Sequence, residues 1–367
     1  MTSVPFVDLS VQHRQIAAEV DQGFAEVLAK GDYIGGRSVT LFEQEYAAYS
    51  EAAHCVGVAN GTDALEMALR ALGIRYGDEV ILPANTFIAT AEAVVRAGGV
   101  PVLVDADDEA LLIDPTLVEA AVTDRTRAII PVDLYGQAAP FEQLPAVIRD
   151  RGIAVLEDGA QSQGARRHGR RAGTLGTIAA TSFYPGKNLG AYGDAGAVVT
   201  DDADLARRVR VMGAHGSAVK YQHTEFGFNS RLDTLQSVVL RAKLRRLDEW
   251  NEQRRVAAGR YEQLLGGESR VRLPVTLAGN EHVWHLYVIR VANRDEVLKG
   301  LNENGIGAAI HYPVPVHLQT AFTGLGAAGS FPVSERSADE ILSLPIYPGI
   351  TAEHQERVAE VLSKVLG

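Results

Sequence analysis

The sequence contains a single cysteine, Cys55, among its 367 residues. One cysteine excludes an internal disulfide and a cysteine-based metal cluster, and we predict no metal site. Long apolar runs are also missing, since no stretch reaches the roughly 20 residues that a membrane-spanning helix needs. The opening segment MTSVPFVDLS has neither a basic region nor an apolar core, so we expect no signal peptide. We therefore predict a cytoplasmic protein with no membrane partner.

Positive charge is in deficit. The chain has 35 Lys and Arg residues against 46 Asp and Glu residues, which gives a formal net charge of −11. Proteins that bind nucleic acids usually present basic surfaces, so this balance argues against a nucleic-acid partner. It does not exclude a small anionic ligand held in a local site.

The two common glycine-rich nucleotide motifs are absent. The stretch TSFYPGKNLGAYGDAGAVVTDD contains Gly186 and Lys187, but the pattern G-x-x-x-x-G-K-[ST] fails at Thr181 and at Asn188. No G-x-G-x-x-G opens a helix, so a dinucleotide site has no support. Lys187 is therefore either a catalytic amine or a solvated loop charge.

What the sequence does contain is a regular alternation of short apolar runs and helical segments after Cys55. The runs CVGVA, EVILP, VPVLVD, RAIIPV and IAVLED alternate with helical patterns such as TDALEMALRAL, ATAEAVVRA and EQLPAVIRD. This alternation predicts an α/β fold with a mainly parallel sheet flanked by helices. Ahead of it, QIAAEVDQGFAEVLAK and VTLFEQEYAAY predict two N-terminal helices. Ligands of such sheets gather at the carboxyl ends of the strands.

A long helical stretch from about Leu232 to Leu265 precedes a smaller mixed segment. In that segment HLYVIRV predicts a strand, and RDEVLKGLNENG and TAEHQERVAEVLSKVL predict helices. We predict a large domain over residues 1–250, which includes the N-terminal helices, and a small α+β domain over residues 251–367.

Three loops after predicted strands carry polar chemistry. In NGTDALEMAL, Gly61 and Thr62 open a helix whose N–H groups suit a phosphate, although plain N-capping explains the same residues. In IAVLEDGAQSQGA, Asp158 ends a strand and either holds a cationic ring nitrogen or caps a turn. In the third loop, a buried Lys187 would have a lowered pKa and act as a nucleophilic amine. A phosphate loop, an acid and a lysine in this order fit pyridoxal 5′-phosphate (PLP).

These motifs, together with GDYIGG, PANTFIAT, GFNSRLDTLQSVVLRAKL and IHYPVPVHLQ, resemble the DegT/StrS family of PLP-dependent nucleotide-sugar aminotransferases. The resemblance covers nearly the whole chain and implies the fold-type I aminotransferase architecture. Some relatives have histidine at the lysine position and dehydrate sugars, so Lys187 favours transamination. The chain departs from the family pattern at Ala195 in GDAGA, where glycine is common.

The resemblance also implies roles for the cofactor residues. Lys187 would bond to the PLP aldehyde, and Asp158 would pair with the pyridine nitrogen. Gln161 would contact the 3-hydroxyl of the ring, and Phe87 would stack on the ring face, unless it is a simple core residue.

The cofactor phosphate would lie against Gly61, Thr62 and Ser182. Asn229 in GFNSRLD would reach the phosphate from a partner subunit, which implies a homodimer with shared active sites. Strand-end capping by Ser182 and a turn at Asn229 are the simpler alternatives.

The resemblance further implies a substrate. NSRLD, followed by the rest of that motif and by WN, is similar to members that aminate C3 of a dTDP-linked 3-keto-6-deoxyhexose, with L-glutamate as donor. C4-aminating relatives more often have NYRM there. The alternatives are C4 amination of a nucleotide-linked 4-keto-6-deoxyhexose, amination of a cyclitol ketone, and a regulatory relative without turnover.

Histidines and tyrosines near the motifs are the candidates for sugar contact. They are Tyr33, Tyr184, His215, Tyr221, His311, Tyr312 and His317. The prolines of HYPVPVH fix an extended backbone, which suits either a rigid substrate wall or a structural turn between domains.

Overall fold

The protein is described here by a computed structural model that covers residues 3–367. Within these residues the chain forms the following α-helices: α1 (Leu9–Lys30), α2 (Arg37–Ser50), α3 (Gly61–Ala71), α4 (Ile88–Arg96), α5 (Pro115–Ala121), α6 (Ala146–Asp150), α7 (Ala203–Gly213), α8 (Thr234–Leu244), α9 (Leu247–Leu265), α10 (Arg294–Glu303), α11 (Pro332–Glu340) and α12 (Ala352–Leu366).

The strands of the same residues are β1 (His54–Val58), β2 (Glu79–Pro83), β3 (Val100–Val104), β4 (Thr126–Ile129), β5 (Ala154–Asp158), β6 (Arg166–Arg167), β7 (Arg170–Arg171), β8 (Ile178–Ser182), β9 (Gly196–Thr200), β10 (Ser217–Val219), β11 (Gln222–His223), β12 (Val271–Arg272), β13 (Asn280–Glu281), β14 (Tyr287–Val291) and β15 (Ile341–Leu344).

Seven strands form the central sheet in the order β1-β9-β8-β5-β4-β2-β3. From β8 to β3 all neighbours are parallel, and β9 is antiparallel to both β1 and β8. Most of their side chains are buried because helices cover both faces. The predicted α/β fold with a mainly parallel sheet is therefore confirmed.

Helix α3 packs along one face of this sheet. It begins where Asn60 accepts a hydrogen bond from the Asp63 N–H at 2.8 Å, and its buried residues are alanine, leucine and methionine together with one acid, Glu66. Because β1 leads directly into α3, the first turn of this helix lies at the sheet edge where the parallel strands end.

The predicted long helix from Leu232 to Leu265 is two helices in the structure. The chain turns at Arg245 and Arg246, where the Arg246 N–H bonds to the Lys243 carbonyl at 2.9 Å. The sequence gives no glycine or proline signal for this break. After this break, α9 continues to a second hydrophobic core, in which Tyr261 packs.

That second core lies under a three-stranded antiparallel sheet in the order β12-β14-β15. Helices α9, α10 and α12 cover it. This arrangement supports a smaller C-terminal α+β unit, but the exact division at residue 250 stays a prediction. Met1 and Thr2, which begin the predicted large domain, lie outside the described residues.

None of the helices within residues 3–367 is both long and apolar enough to cross a membrane.

Candidate active site

A cavity of about 780 Å³ opens at the carboxyl ends of the parallel strands. Its walls come from the first turn of α3, the segment before and within α4, the loops after β5 and β8, and the segment around residue 311. Ten of the predicted site residues line it: Gly61, Thr62, Phe87, Asp158, Gln161, Ser182, Tyr184, Lys187, His311 and Tyr312.

One wall is built for an anion. The first turn of α3 approaches the end of β8 so closely that a β-carbon on Gly61 would lie 2.6 Å from the β-carbon of Ser182. A β-carbon on Gly196 would lie 2.5 Å from the carbonyl of Asn60, so this approach needs glycine at both positions. First-turn N–H groups have no acceptor within their helix and favour negative charge. Together with the Ser182 hydroxyl they form a cradle for a phosphate-like group.

The acid Asp158 ends β5 and is only 4% exposed. Its Oδ2 accepts a hydrogen bond from Thr90 Oγ1 at 2.8 Å, and its Oδ1 accepts one from the Ala160 N–H at 3.2 Å. Thr86 Oγ1 lies 2.8 Å from Thr90 Oγ1 and extends this network. Burial raises the pKa of Asp158, although the hydrogen bonds and the nearby charge of Lys187 oppose that shift.

The amine of Lys187 faces the same cavity. Burial lowers the pKa of Lys187 to about 8, although the negative charge of Asp158 opposes the shift. The Lys187 N–H donates to the Tyr184 carbonyl at 2.8 Å and closes the Pro-Gly turn. The next residue, Asn188, is held in place because its side chain donates to the Val283 carbonyl at 2.9 Å. The turn therefore holds an amine that is partly neutral near neutral pH.

Gln161 and two tyrosines form the wall beside Asp158. Gln161 Oε1 accepts a hydrogen bond from the Tyr135 N–H at 2.6 Å, and Gln161 Nε2 donates to Tyr312 Oη at 3.0 Å. The ring of Phe87 lies with its centroid 5.0 Å from that of Tyr312. Phe87 is 48% exposed, so it is not a core residue.

A buried carboxyl pair lies directly behind Asp158. Glu157 and Asp133 are both fully buried. The Glu157 carboxylate accepts a hydrogen bond from the Leu175 N–H at 2.9 Å, and Asp133 accepts one from Ser162 Oγ at 2.8 Å. Burial and the neighbouring Glu157 raise the pKa of Asp133 well above its usual range. This shift favours the protonated form of Asp133 beside Glu157.

The remaining predicted site residues lie outside the lining of this cavity. Tyr33, His215, Tyr221 and Asn229 are exposed on the surface of the described chain, Tyr221 within the turn that joins β10 and β11. His317 is buried, and its Nε2 lies 2.9 Å from Glu335 Oε1.

Sequence reasoning missed several lining residues. Thr90 lies within the motif PANTFIAT and His285 begins the predicted strand HLYVIRV, but only tertiary packing brings them to the cavity. Arg254 comes from the middle of α9, where the helical pattern gives no sign of a functional group. The pKa of His285 is held well below its usual range by burial and by the positive charges of Lys187 and Arg254.

The fold and this site together define a fold-type I aminotransferase. The model of the DegT/DnrJ/EryC1/StrS aminotransferase family matches residues 14–363, and the chain belongs to this family.

Two relatives span nearly the whole chain. The erythromycin biosynthesis sensory transduction protein EryC1 of Saccharopolyspora erythraea is 48% identical over 98% of this chain and 98% of its own. The dTDP-3-amino-3,4,6-trideoxy-α-D-glucose transaminase of Streptomyces venezuelae is 46% identical over 98% of this chain and 95% of its own.

Solved structures show the same fold. DesV from S. venezuelae superposes with a TM-score of 0.97 at 46% identity, covering 99% of this chain and 98% of that chain. NtdA from Bacillus subtilis, with bound cofactor PMP, superposes with a TM-score of 0.91 at 33% identity, covering 100% of this chain and 86% of that chain.

Proposed function

We propose that this protein uses PLP to transfer an amino group from L-glutamate to C3 of a dTDP-linked 3-keto-6-deoxyhexose. The observation that carries the proposal is the meeting of Lys187, Asp158 and the first turn of α3 in one cavity. The S. venezuelae relatives, one a dTDP-3-amino-sugar transaminase by name, support amination at C3. We place the reaction in the cytoplasm, and the free, buried thiol of Cys55 suits a reducing compartment.

The residues present fit PLP. The cradle formed by Gly61, Thr62 and Ser182 suits its phosphate, because the close approach of helix and strand leaves N–H groups and a hydroxyl for an anion. Lys187 suits its aldehyde, and Asp158 suits its ring nitrogen. When bound, PLP supplies an electron sink that stabilises negative charge at the carbon next to the reacting nitrogen.

Asp158 would hold the ring. As a carboxylate, it would stabilise a proton on the ring nitrogen by its negative charge. Thr90 and the Ala160 N–H fix the orientation of the carboxylate. Gln161 and Phe87 would bound the ring at its 3-hydroxyl and on its face.

Lys187 would move the proton. With a pKa of about 8, roughly a tenth of such amines are neutral at pH 7, against far fewer for an ordinary lysine. Lys187 Nζ would take a proton from the α-carbon of the donor in the first half-reaction. In the second half-reaction, with the sugar ketone, the same amine would run the proton transfer in reverse.

We propose a homodimer in which Asn229 completes the partner's site. Its position outside the cavity of its own chain supports this, because the same residue resembles a phosphate ligand of the family. We expect the Lys187→Ala and Asn229→Ala proteins to have low transaminase activity when each is measured alone. Activity should return when the two are refolded together, because mixed dimers would contain one intact site. A mixture no more active than its two components would contradict shared sites.

The S. erythraea relative is named a sensory transduction protein, and a regulatory role without turnover is therefore the alternative function. The complete set of Lys187, Asp158 and phosphate cradle favours turnover instead. We expect a yellow protein whose cofactor, after borohydride reduction, is bonded to the Lys187 peptide and not to that of Lys243, another buried lysine. A colourless protein that cannot be reconstituted with PLP would contradict the enzyme.

Product analysis decides the position of amination. Holoenzyme with L-glutamate is incubated separately with a dTDP-3-keto-6-deoxyhexose, a dTDP-4-keto-6-deoxyhexose and a cyclitol ketone. We expect 2-oxoglutarate and an amino sugar only from the first. Faster amination of the 4-keto sugar or of the cyclitol would overturn the C3 assignment and leave the transaminase intact.

A further inference from the structure

Arg254 is a buried cation that lines the cavity and lacks an acidic partner. The residue is 3% exposed and lies in the middle of α9. Its Nη1 donates to the carbonyls of Trp284 and Ile346, each at 3.0 Å, and more weakly to that of His285 at 3.4 Å. Within residues 3–367, Nε and Nη2 have no hydrogen-bond partner, and no carboxylate forms an ion pair with Arg254.

The unused groups form one edge of the guanidinium. Nε–H and one Nη2–H point the same way, which is the geometry that receives both oxygens of a carboxylate. Arg167 shows this use elsewhere in the chain: it is equally buried, and its Nε and Nη2 both donate to Glu142. Arg125 binds Glu79 through the same edge. Arg254 thus offers a carboxylate site that no residue of the described chain fills.

The charge of Arg254 persists at neutral pH. Burial lowers the pKa of its guanidinium only to about 10. A buried charge without a counter-ion is unfavourable, and an anionic ligand would offset that cost. The carbonyl contacts at Nη1 orient the side chain, but they do not neutralise it.

Arg254 and Lys187 line the same cavity, with His285 close to both residues in the structure. Arg254 Nη1 lies 3.4 Å from the His285 carbonyl oxygen, and His285 Nδ1 lies 3.2 Å from Oδ1 of Asn188, the residue after Lys187. The α-carbon of an amino acid bears the amine that must reach Lys187 and also a carboxylate one bond away. A cation that lines the same cavity as Lys187 is therefore placed for that carboxylate. The diphosphate of a sugar nucleotide lies several bonds from the reacting ketone and belongs nearer the cavity mouth.

We propose that Arg254 binds the α-carboxylate of the amino-acid donor through its Nε–Nη2 edge. The inference rests on the proposed transamination for the identity of the donor. It names a binding residue for the first half-reaction that neither the family match nor the sequence motifs point to.

The first test separates the two half-reactions of the holoenzyme. Arg254→Lys keeps the charge but loses the two-pronged edge, and Arg254→Gln loses both. We expect kcat/KM for L-glutamate to fall on the order of 10-fold in the lysine variant and 100-fold in the glutamine variant, from the strength of charged hydrogen bonds. The half-reaction with the keto sugar should change less than about 3-fold.

A purely structural role for Arg254 predicts equal losses in both half-reactions, which would overturn the proposal. A loss confined to the keto-sugar half-reaction would instead assign Arg254 to the diphosphate and would also overturn it.

The second test pairs enzyme and donor variants. L-glutamate is compared with its α-amide, isoglutamine, and with its γ-amide, glutamine, in wild type and Arg254→Gln. If the α-carboxylate is the partner, Arg254→Gln should lower kcat/KM only slightly with isoglutamine. With glutamine it should lower kcat/KM by the same factor as with L-glutamate. Equal costs with both amides would contradict the assignment.

The third measurement does not depend on turnover. Calorimetry of 2-oxoglutarate binding to the PLP form should give an affinity that falls at least about 10-fold in both Arg254 variants. Retention of that binding in the variants overturns the proposal even where one variant folds poorly, because the other remains to be measured. If binding depends on Arg254 but no keto sugar is aminated, the carboxylate site stands and the proposed function fails.

Discussion

Two buried lysines of this chain differ in their surroundings, although burial affects them alike. Burial lowers the pKa of Lys187 to about 8, and it does the same to Lys243 in α8. Lys187 faces Asp158 across the cavity, whereas Lys243 lies with Nζ 5.1 Å from the ring centroid of Tyr192 and outside the cavity lining. A depressed amine pKa is therefore not a mark of catalysis. The nearby Asp158 and the anion cradle distinguish the surroundings of Lys187 from those of Lys243.

The largest expected effect separates the two lysines by activity. We expect Lys187→Ala to lower turnover by at least ~10⁴-fold, because both the covalent attachment and the proton transfer need this amine. Lys243→Ala should change kcat by less than about 3-fold in folded protein. Steady-state 2-oxoglutarate release measures both. Substantial multiple turnover by Lys187→Ala without added amine would refute the role given to Lys187.

Removal of the acid should come next. Asp158→Asn keeps the shape of the side chain but loses the charge that would hold a proton on the ring nitrogen. We expect kcat to fall by about 10²- to 10³-fold with little change in folding. Asp204→Asn, an exposed surface carboxylate, removes the same charge and serves as control. A wild-type rate for Asp158→Asn would show that the ring nitrogen does not need the charge of Asp158.

The third prediction concerns the effect of Lys243 on the stability of the fold. Its folded pKa, about 8, lies below the unfolded value, so the folded state resists protonation. The resulting penalty is complete below pH 8, shrinks as pH rises from 8 toward about 10.4, and is absent above it. We expect Lys243→Met to raise the free energy of unfolding at pH 7 by about 1–3 kcal/mol, after allowance for the lost contact with Tyr192.

Urea unfolding of wild type and Lys243→Met at pH 7 and at pH 10 measures this difference. The gain at pH 10 should be clearly smaller than the gain at pH 7. A gain that does not depend on pH would show that packing, and not the buried charge, separates the two proteins.

The smallest effect is expected at Thr90, which supports Asp158 without itself reacting. Thr90→Val deletes the 2.8 Å hydrogen bond and keeps the shape of the side chain. We expect kcat to fall by about 10-fold and the pH profile to shift toward that of a carboxylate with a higher pKa. Thr90→Ser should restore most of the rate. No difference between the valine and serine variants would show that the hydroxyl does not orient Asp158.

The motifs and the family resemblance were sufficient to predict that Asp158 and Lys187 lie in one site. In the structure Asp158 ends β5 and Lys187 follows β8, its parallel neighbour in the sheet, so their loops lie side by side. The apolar runs were equally reliable, because buried parallel strands have near-continuous hydrophobic sequences.

Tertiary packing decided what the sequence could not show. His311 and Tyr312 reach the cavity, whereas His317 of the same HYPVPVH motif turns inward to Glu335, because a 3-10 turn over Val316–Leu318 redirects the chain. Arg254 lines the cavity from the middle of α9, which begins after a break at residues 245–246, where every residue is a good helix former.

The buried pair Asp133 and Glu157 bears on how the charge of this protein is counted. A formal charge of −11 assigns a full negative charge to every carboxyl group, whereas burial raises the pKa of both members of this pair and favours their protonated forms. Because both groups are ionised in the unfolded chain at pH 7, we expect folding to take up a hydrogen ion at this pair. Calorimetric refolding in buffers of different ionisation enthalpy measures that uptake, so the native state of this protein would include a bound proton as one of its components.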